Sequence, residues 1–162
     1  MNKRRNKPYH PKYVARDPLS TFFGGMSATH IDHLRGLQIK NHLAMTELTQ
    51  GRGTKAEWDL IVGAINIANM FCEQGIGNEF RAETIAARDA LLEVGKRFMR
   101  TGKFVFTGDE LQAVNRALEC HDAQLENVRA IDVDRAANEV VRRVRHRINS
   151  TSVMREMRKE AA

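Results

Sequence analysis

Apolar residues recur through most of this chain at the three-and-four spacing of a helix face, and glycines punctuate the runs. Leu34, Leu37, Ala44, Met45 and Leu48 share the stripe of a first helix, predicted over roughly 30–50, with Thr29 as N-cap, Asp32 in its first turn and Gly51 as its stop. Thr54-Lys55-Ala56-Glu57 is a capping box, in which hydroxyl and carboxylate satisfy reciprocal backbone donors, and it opens a second helix ending near Gly75. Trp58, Ile61, Val62, Ile65 and Cys72 form one face of that helix. Leu60, Ala64, Ile67 and Phe71 widen it until only Asp59, Asn66 and Glu73 remain as a polar strip, so this helix is expected at the centre.

A third helix is predicted from about Asn78 to Thr101, stopping at Gly102, with Phe80, Ala87, Leu91, Val94 and Phe98 inward and Glu83, Asp89, Glu93, Lys96 and Arg97 facing water. Lys103-Phe104-Val105-Phe106 has no strand partner and reads as an extended link over the core. Thr107-Gly108-Asp109-Glu110 is a second capping box, followed by Leu111, Val114, Leu118, Leu125 and Val128 on a fourth helix. A break is expected near Ala130-Ile131-Asp132, with Asp132 or Asp134 capping a fresh start. In the last helix Val133, Ala137, Val140, Val141, Val144 and Ile148 lie within about 100° of arc and dock on the body, while Arg135, Arg142, Arg143, Arg145, His146 and Arg147 take the remainder. The fold class is therefore all-α, a single-domain bundle of four to five helices with short connections and antiparallel neighbours.

All three prolines, Pro8, Pro11 and Pro18, fall in the first 18 residues, where they oppose helix and leave an extended basic N-terminal arm. The division is an arm over 1–18, mobile or docked on something else, a bundle domain over 19–149, and a charged tail over 150–162. A length of 162 residues suits one core. An apolar fraction of 42% and a charged fraction of 28% set fibrous, fully disordered and membrane-spanning classes aside. With no long apolar run, no secretory signal pattern and only two cysteines, Cys72 and Cys120, the chain is expected to be cytoplasmic and not membrane-bound.

The net charge of +6 is unevenly placed. Residues 1–17 hold six Lys/Arg against one acid, a balance of +5; residues 135–162 hold eight against three, again +5; residues 18–134 hold twelve against sixteen, or −4. Concentrated positive charge attracts polyanions, and phosphate contacts release condensed counterions without any sequence readout. Lys3, Arg4, Arg5, Lys7 and Lys12 reach phosphates in this reading, with Tyr9 and Tyr13 stacking on bases, and Arg135, Arg142, Arg143, Arg145 and Arg147 supply the second basic segment.

Other chemistry is thinner. His30 and His33 stand one turn apart around Asp32, but a metal site needs a third ligand and the spacing is not that of a zincin. Paired Glu-x-x-His motifs, which a di-iron bundle requires, are absent. His121 projects into an apolar stripe and reads as a core histidine bonded to a neighbouring helix, with lowered proton affinity; Asn41 interrupts the first stripe in the same way. Neither cysteine has the surroundings of a nucleophile, and Gly24-Gly25, Gly51-Arg52-Gly53 and Gly75-Ile76-Gly77 are turns rather than phosphate cradles. No cofactor is implied.

Gly75-Ile76-Gly77 before a helix, Thr101-Gly102-Lys103-Phe104, Thr107-Gly108-Asp109-Glu110-Leu111-Gln112-Ala113 and Glu119-Cys120-His121-Asp122-Ala123-Gln124-Leu125, with the basic opening before Asp17-Pro18, resemble small uncharacterised proteins from bacterial phages, prophages and plasmids over about two thirds of the chain. The resemblance implies a mobile-element accessory protein and transfers no catalytic residue. The expected function is non-enzymatic binding of nucleic acid or a nucleoprotein complex. The alternatives are a regulator that presents arginines to the acidic surface of a host defence or replication enzyme, and an enzyme using His30, Asp32, His33 or His121. The breadth of the second helix's apolar face also raises a homodimer.

Overall fold

The computed structural model describes the backbone of residues 30–146 and the side chains of residues 33–145. The arm 1–18, the Thr29 cap, Arg147, Ile148 and the tail 150–162 lie outside the described residues, as do the side chains of His30, Asp32 and His146. Five α-helices follow one another: α1 (His30–Thr49), α2 (Lys55–Glu73), α3 (Arg81–Thr101), α4 (Gly108–Glu126) and α5 (Ala130–His146), with a 3-10 turn at Asn78–Phe80 leading into α3. Among the described residues there is no strand.

Both capping boxes are present. The Thr54 hydroxyl accepts from the Ala56 N–H while Glu57 reaches back to the Thr54 N–H at 2.7 Å, and Thr107 and Glu110 repeat the arrangement at the head of α4. Gly102 ends α3 in the left-handed region at φ 70°, its N–H donating to the Phe98 carbonyl. The link after it is extended and inward: Phe104 stacks between Trp58 and Phe98, at centroid distances of 4.9 and 4.0 Å.

Helix α2 packs against all four others and is the most buried element. Its broad apolar face is covered within the chain, so that breadth supplies no argument for a homodimer. One apolar cluster, around Met45, Leu48, Trp58, Ile61, Leu91, Val94, Phe104 and Leu118, joins α1 to α4. A second, containing Leu34, Ile67, Met70, Phe71, Leu125, Val128, Val133, Ala136 and Ala137, lies where α1 begins and α2 and α4 end, and α5 closes it.

Several expectations are corrected. Helix α3 starts at Arg81, because Gly77, at φ 63°, first turns the chain into the 3-10 segment. Arg97 does not simply face water: it makes a paired bond to Glu110 at 2.9 and 3.0 Å and donates to the Val105 carbonyl, tying α3 to α4 and to the link between them. Glu83 is also partly buried, with Oε2 enclosed and unpartnered and Oε1 3.8 Å from Arg116. Val128 belongs to the link after α4 rather than to the helix, although it is buried. The break falls at Asn127-Val128-Arg129. Asp132 acts from inside the first turn of α5, accepting from the Arg129 N–H and guanidinium, and not as an N-cap. Val144, expected to dock, is 54% exposed.

Candidate nucleic-acid interface

The sequence nominates α5 for its arginines, and the fold sorts them into two groups. Arg143 stands at the edge of the helix facing α2, where its guanidinium bonds Glu73 at 2.7 Å and Glu139 at 3.0 Å. It is a clamp between α5 and the end of α2. Arg142 shares Glu139 through two bonds of 2.7 Å, and together Arg142 and Arg143 hold the Glu139 carboxyl down to about 2. Arg142 nonetheless stays exposed, and an ion pair at the surface is weakly held.

Arg135 is exposed and lies 3.7 Å from Asp132, a carboxylate already engaged by Arg129. Arg145 is exposed and meets no carboxylate among the described residues. Over 129–145 five arginines stand against three acids, a balance of +2, so part of the expected positive surface is neutralised by the protein's own carboxylates. The acids are not spread evenly around the helix. At 100° per residue Ile131, Arg135, Asn138, Arg142 and Arg145 occupy about 80° of arc that contains no Asp or Glu, and all five are exposed.

Fold and charge also meet at one end of the bundle. Leu34, in the second turn of α1, shares the α5-closed cluster with Val133, Ala136 and Ala137. Helix α1 therefore begins near α5, the helix that precedes the C-terminal residues in sequence. Lys3, Arg4, Arg5, Lys7, Tyr9, Lys12 and Arg147 are outside the described residues.

The remaining candidates are structural in their surroundings. His121 is buried and its affinity for protons is lowered to about 4 by burial. Its partner is not on a neighbouring helix as expected: Nδ1 lies 3.4 Å from Gln124 Oε1 on its own helix, while the ring stacks on Phe71 of α2 at 6.0 Å. Gln124 in turn donates to the Ala68 and Ile76 carbonyls and to Cys72 Sγ, and the Cys72 thiol donates to the Gly77 carbonyl. Burial pushes both cysteine thiols up, away from the thiolate a nucleophile needs. Asn41 is buried on α1. No group of three or more His, Cys, Asp or Glu is placed to hold a metal ion among the described residues. No helix there is long and apolar enough to cross a membrane.

Sequence reasoning missed one exposed pair. His42 Nε2 of α1 meets Asp122 Oδ2 of α4 at 2.7 Å, and Gln38 donates to the Asp122 carbonyl. Their separation of 80 positions leaves no local signal. An open depression of about 660 Å³ along α4, lined by Asp109, Gln112, Asn115, Arg116 and Glu119 among others, contains none of the nominated residues. No family model, curated protein or solved structure matches this chain.

Proposed function

We propose that this chain is a non-enzymatic accessory protein of a phage or plasmid that binds nucleic acid, or a nucleoprotein complex, through its two basic ends. The single observation that carries the reading is the shared end of the bundle: Leu34 of α1, the helix that follows the +5 segment 1–17 in sequence, meets in one apolar cluster with Val133, Ala136 and Ala137 of α5, which opens the +5 segment 135–162. In this reading the two basic stretches act on one polyanion, opposite in sign to the −4 of the intervening chain. Exposed Arg135, Arg142 and Arg145, with Lys3, Arg4, Arg5, Lys7, Lys12 and Arg147, contact phosphates, and Tyr9 offers a stacking surface. Arg143 holds α5 in place. Anisotropy titration of labelled DNA and RNA across a salt series tests this. Binding whose logarithm falls linearly with the logarithm of salt supports the reading, and absence of binding at low salt ends it.

A second reading, contact with a host protein, is favoured by Ile39 and Leu43, which stand 60% and 58% exposed on consecutive turns of α1. Pull-down from host lysate with and without nuclease separates the two. A single protein retained after nuclease treatment favours the second.

A further inference from the structure

We propose that the polyanion is double-stranded DNA and that α5 enters its major groove; this rests on the nucleic-acid reading above and narrows it. One side of α5 is exposed. Val133, Ala136 and Ala137 are buried against α1, α2 and the end of α4, whereas Ile131, Arg135, Asn138, Arg142 and Arg145 are all exposed on the opposite side. Val144, on the inner side of the last turn, is also exposed, although Arg143 of the same turn bonds Glu73 of α2. A helix bound along one edge, with its outer side exposed among the described residues, meets the steric requirement for lying in a groove.

The dimensions select the duplex form. A helix with side chains is about 10–12 Å across, which the B-form major groove of about 12 Å accepts and the deep, narrow A-form groove does not. Arg135 to Arg145 spans ten residues, about 15 Å at 1.5 Å per residue, the length of about four base pairs. The outer residue types point the same way. Arginine pairs with guanine edges and with phosphates, asparagine pairs with adenine, and Ile131 offers apolar contact of the sort made to a thymine methyl. Single-stranded nucleic acid is bound on aromatic platforms; α5 offers none, with no Phe, Tyr or Trp between Ala130 and His146, and the stacking Tyr9 belongs to the other basic segment. The acids of α5 flank this surface without entering it: Glu139 is occupied by Arg142 and Arg143, Asp132 by Arg129, and exposed Asp134 lies about 20° beyond the Arg145 edge of the arc.

The test uses the full-length protein and anisotropy of four labelled probes of one sequence at fixed salt: duplex DNA, each single DNA strand, and duplex RNA. The expected result is at least tenfold tighter binding to duplex DNA than to the others. Displacement should follow from a major-groove ligand such as methyl green and not from a minor-groove ligand such as netropsin. Arg142→Ala with Arg145→Ala, both exposed positions, should weaken duplex binding at least tenfold, with an unchanged far-ultraviolet dichroism spectrum verifying the fold. Equal affinity for duplex and single strands, preference for duplex RNA, displacement by netropsin alone, or a folded double variant that binds undiminished would each overturn the groove assignment while leaving polyanion binding intact. Failure of all four probes to bind would remove both readings.

Discussion

His121 is a neutral imidazole enclosed by apolar neighbours, and its environment has a direct consequence for stability. Its folded-state affinity, near pH 4, is below the ordinary value of 6.5, so the unfolded chain takes up the proton first as pH falls. The contribution is therefore absent above pH 6.5 and destabilising progressively down to about pH 4, where it reaches on the order of 3 kcal/mol. Chemical denaturation at pH 7.5, 6 and 5 should show this slope, and His121→Leu should flatten it. An unchanged slope in the variant would assign the loss elsewhere. Carboxylates lowered by their partners, such as Glu110 beside Arg97, destabilise only at lower pH, as they protonate below the usual carboxylate range. Gln124 next to His121 joins α4 to two carbonyls of the α2 end and its following turn. Gly77 makes that turn possible: its φ is 63°, and a Cβ there would lie 2.9 Å from Gln124 and 2.8 Å from Phe80. Gly77→Ala is expected to cost about 1–3 kcal/mol by denaturant titration, and a neutral result would contradict this reading of the turn.

At the level of helices, starts and stops were legible because they are local. Thr54-Lys55-Ala56-Glu57 and Thr107-Gly108-Asp109-Glu110 carry their own hydrogen-bond partners within four residues, and the inward Phe104 follows from an apolar link without a strand to join. Replacing Thr54 or Thr107 by Ala should lower stability by about 1 kcal/mol each, read as a shift in the denaturation midpoint. What the pattern does not encode is which neighbour a face meets. The valine and alanine face of α5 was visible, but not that it closes the end of the bundle beside α1, nor that Arg143 turns inward to Glu73, 70 positions away. The same blindness hid His42 with Asp122 and Arg97 with Glu110. Arg143→Ala should cost about 1 kcal/mol at most in global stability, given the partial exposure of the pair. Its larger expected effect is faster hydrogen exchange in α5 alone, and exchange rising equally in every helix would argue against a local clamp.

For the molecule as a whole, the candidate interface was legible as charge and not as geometry. The partition of +5, −4 and +5 comes directly from the residues, but only the fold separates Arg145, which meets no carboxylate among the described residues, from Arg143, which is spent holding a helix. Salt dependence distinguishes these roles. Each cation that contacts phosphate contributes about one unit of slope, so Arg145→Ala should reduce the slope by about one, whereas deleting residues 1–17 should reduce it by several. An unchanged slope after both alterations would place the contacts outside the two basic ends.

The placement of α5 also bears on how the chain acquires its shape during synthesis. Leu34, Ile67, Met70, Phe71 and Leu125 all precede the helix that closes their cluster, so a nascent polypeptide holds this greasy end open until Ala130–His146 has cleared the ribosome. A product truncated before Ala130 would keep that end bare and, by the same physics, be prone to aggregate.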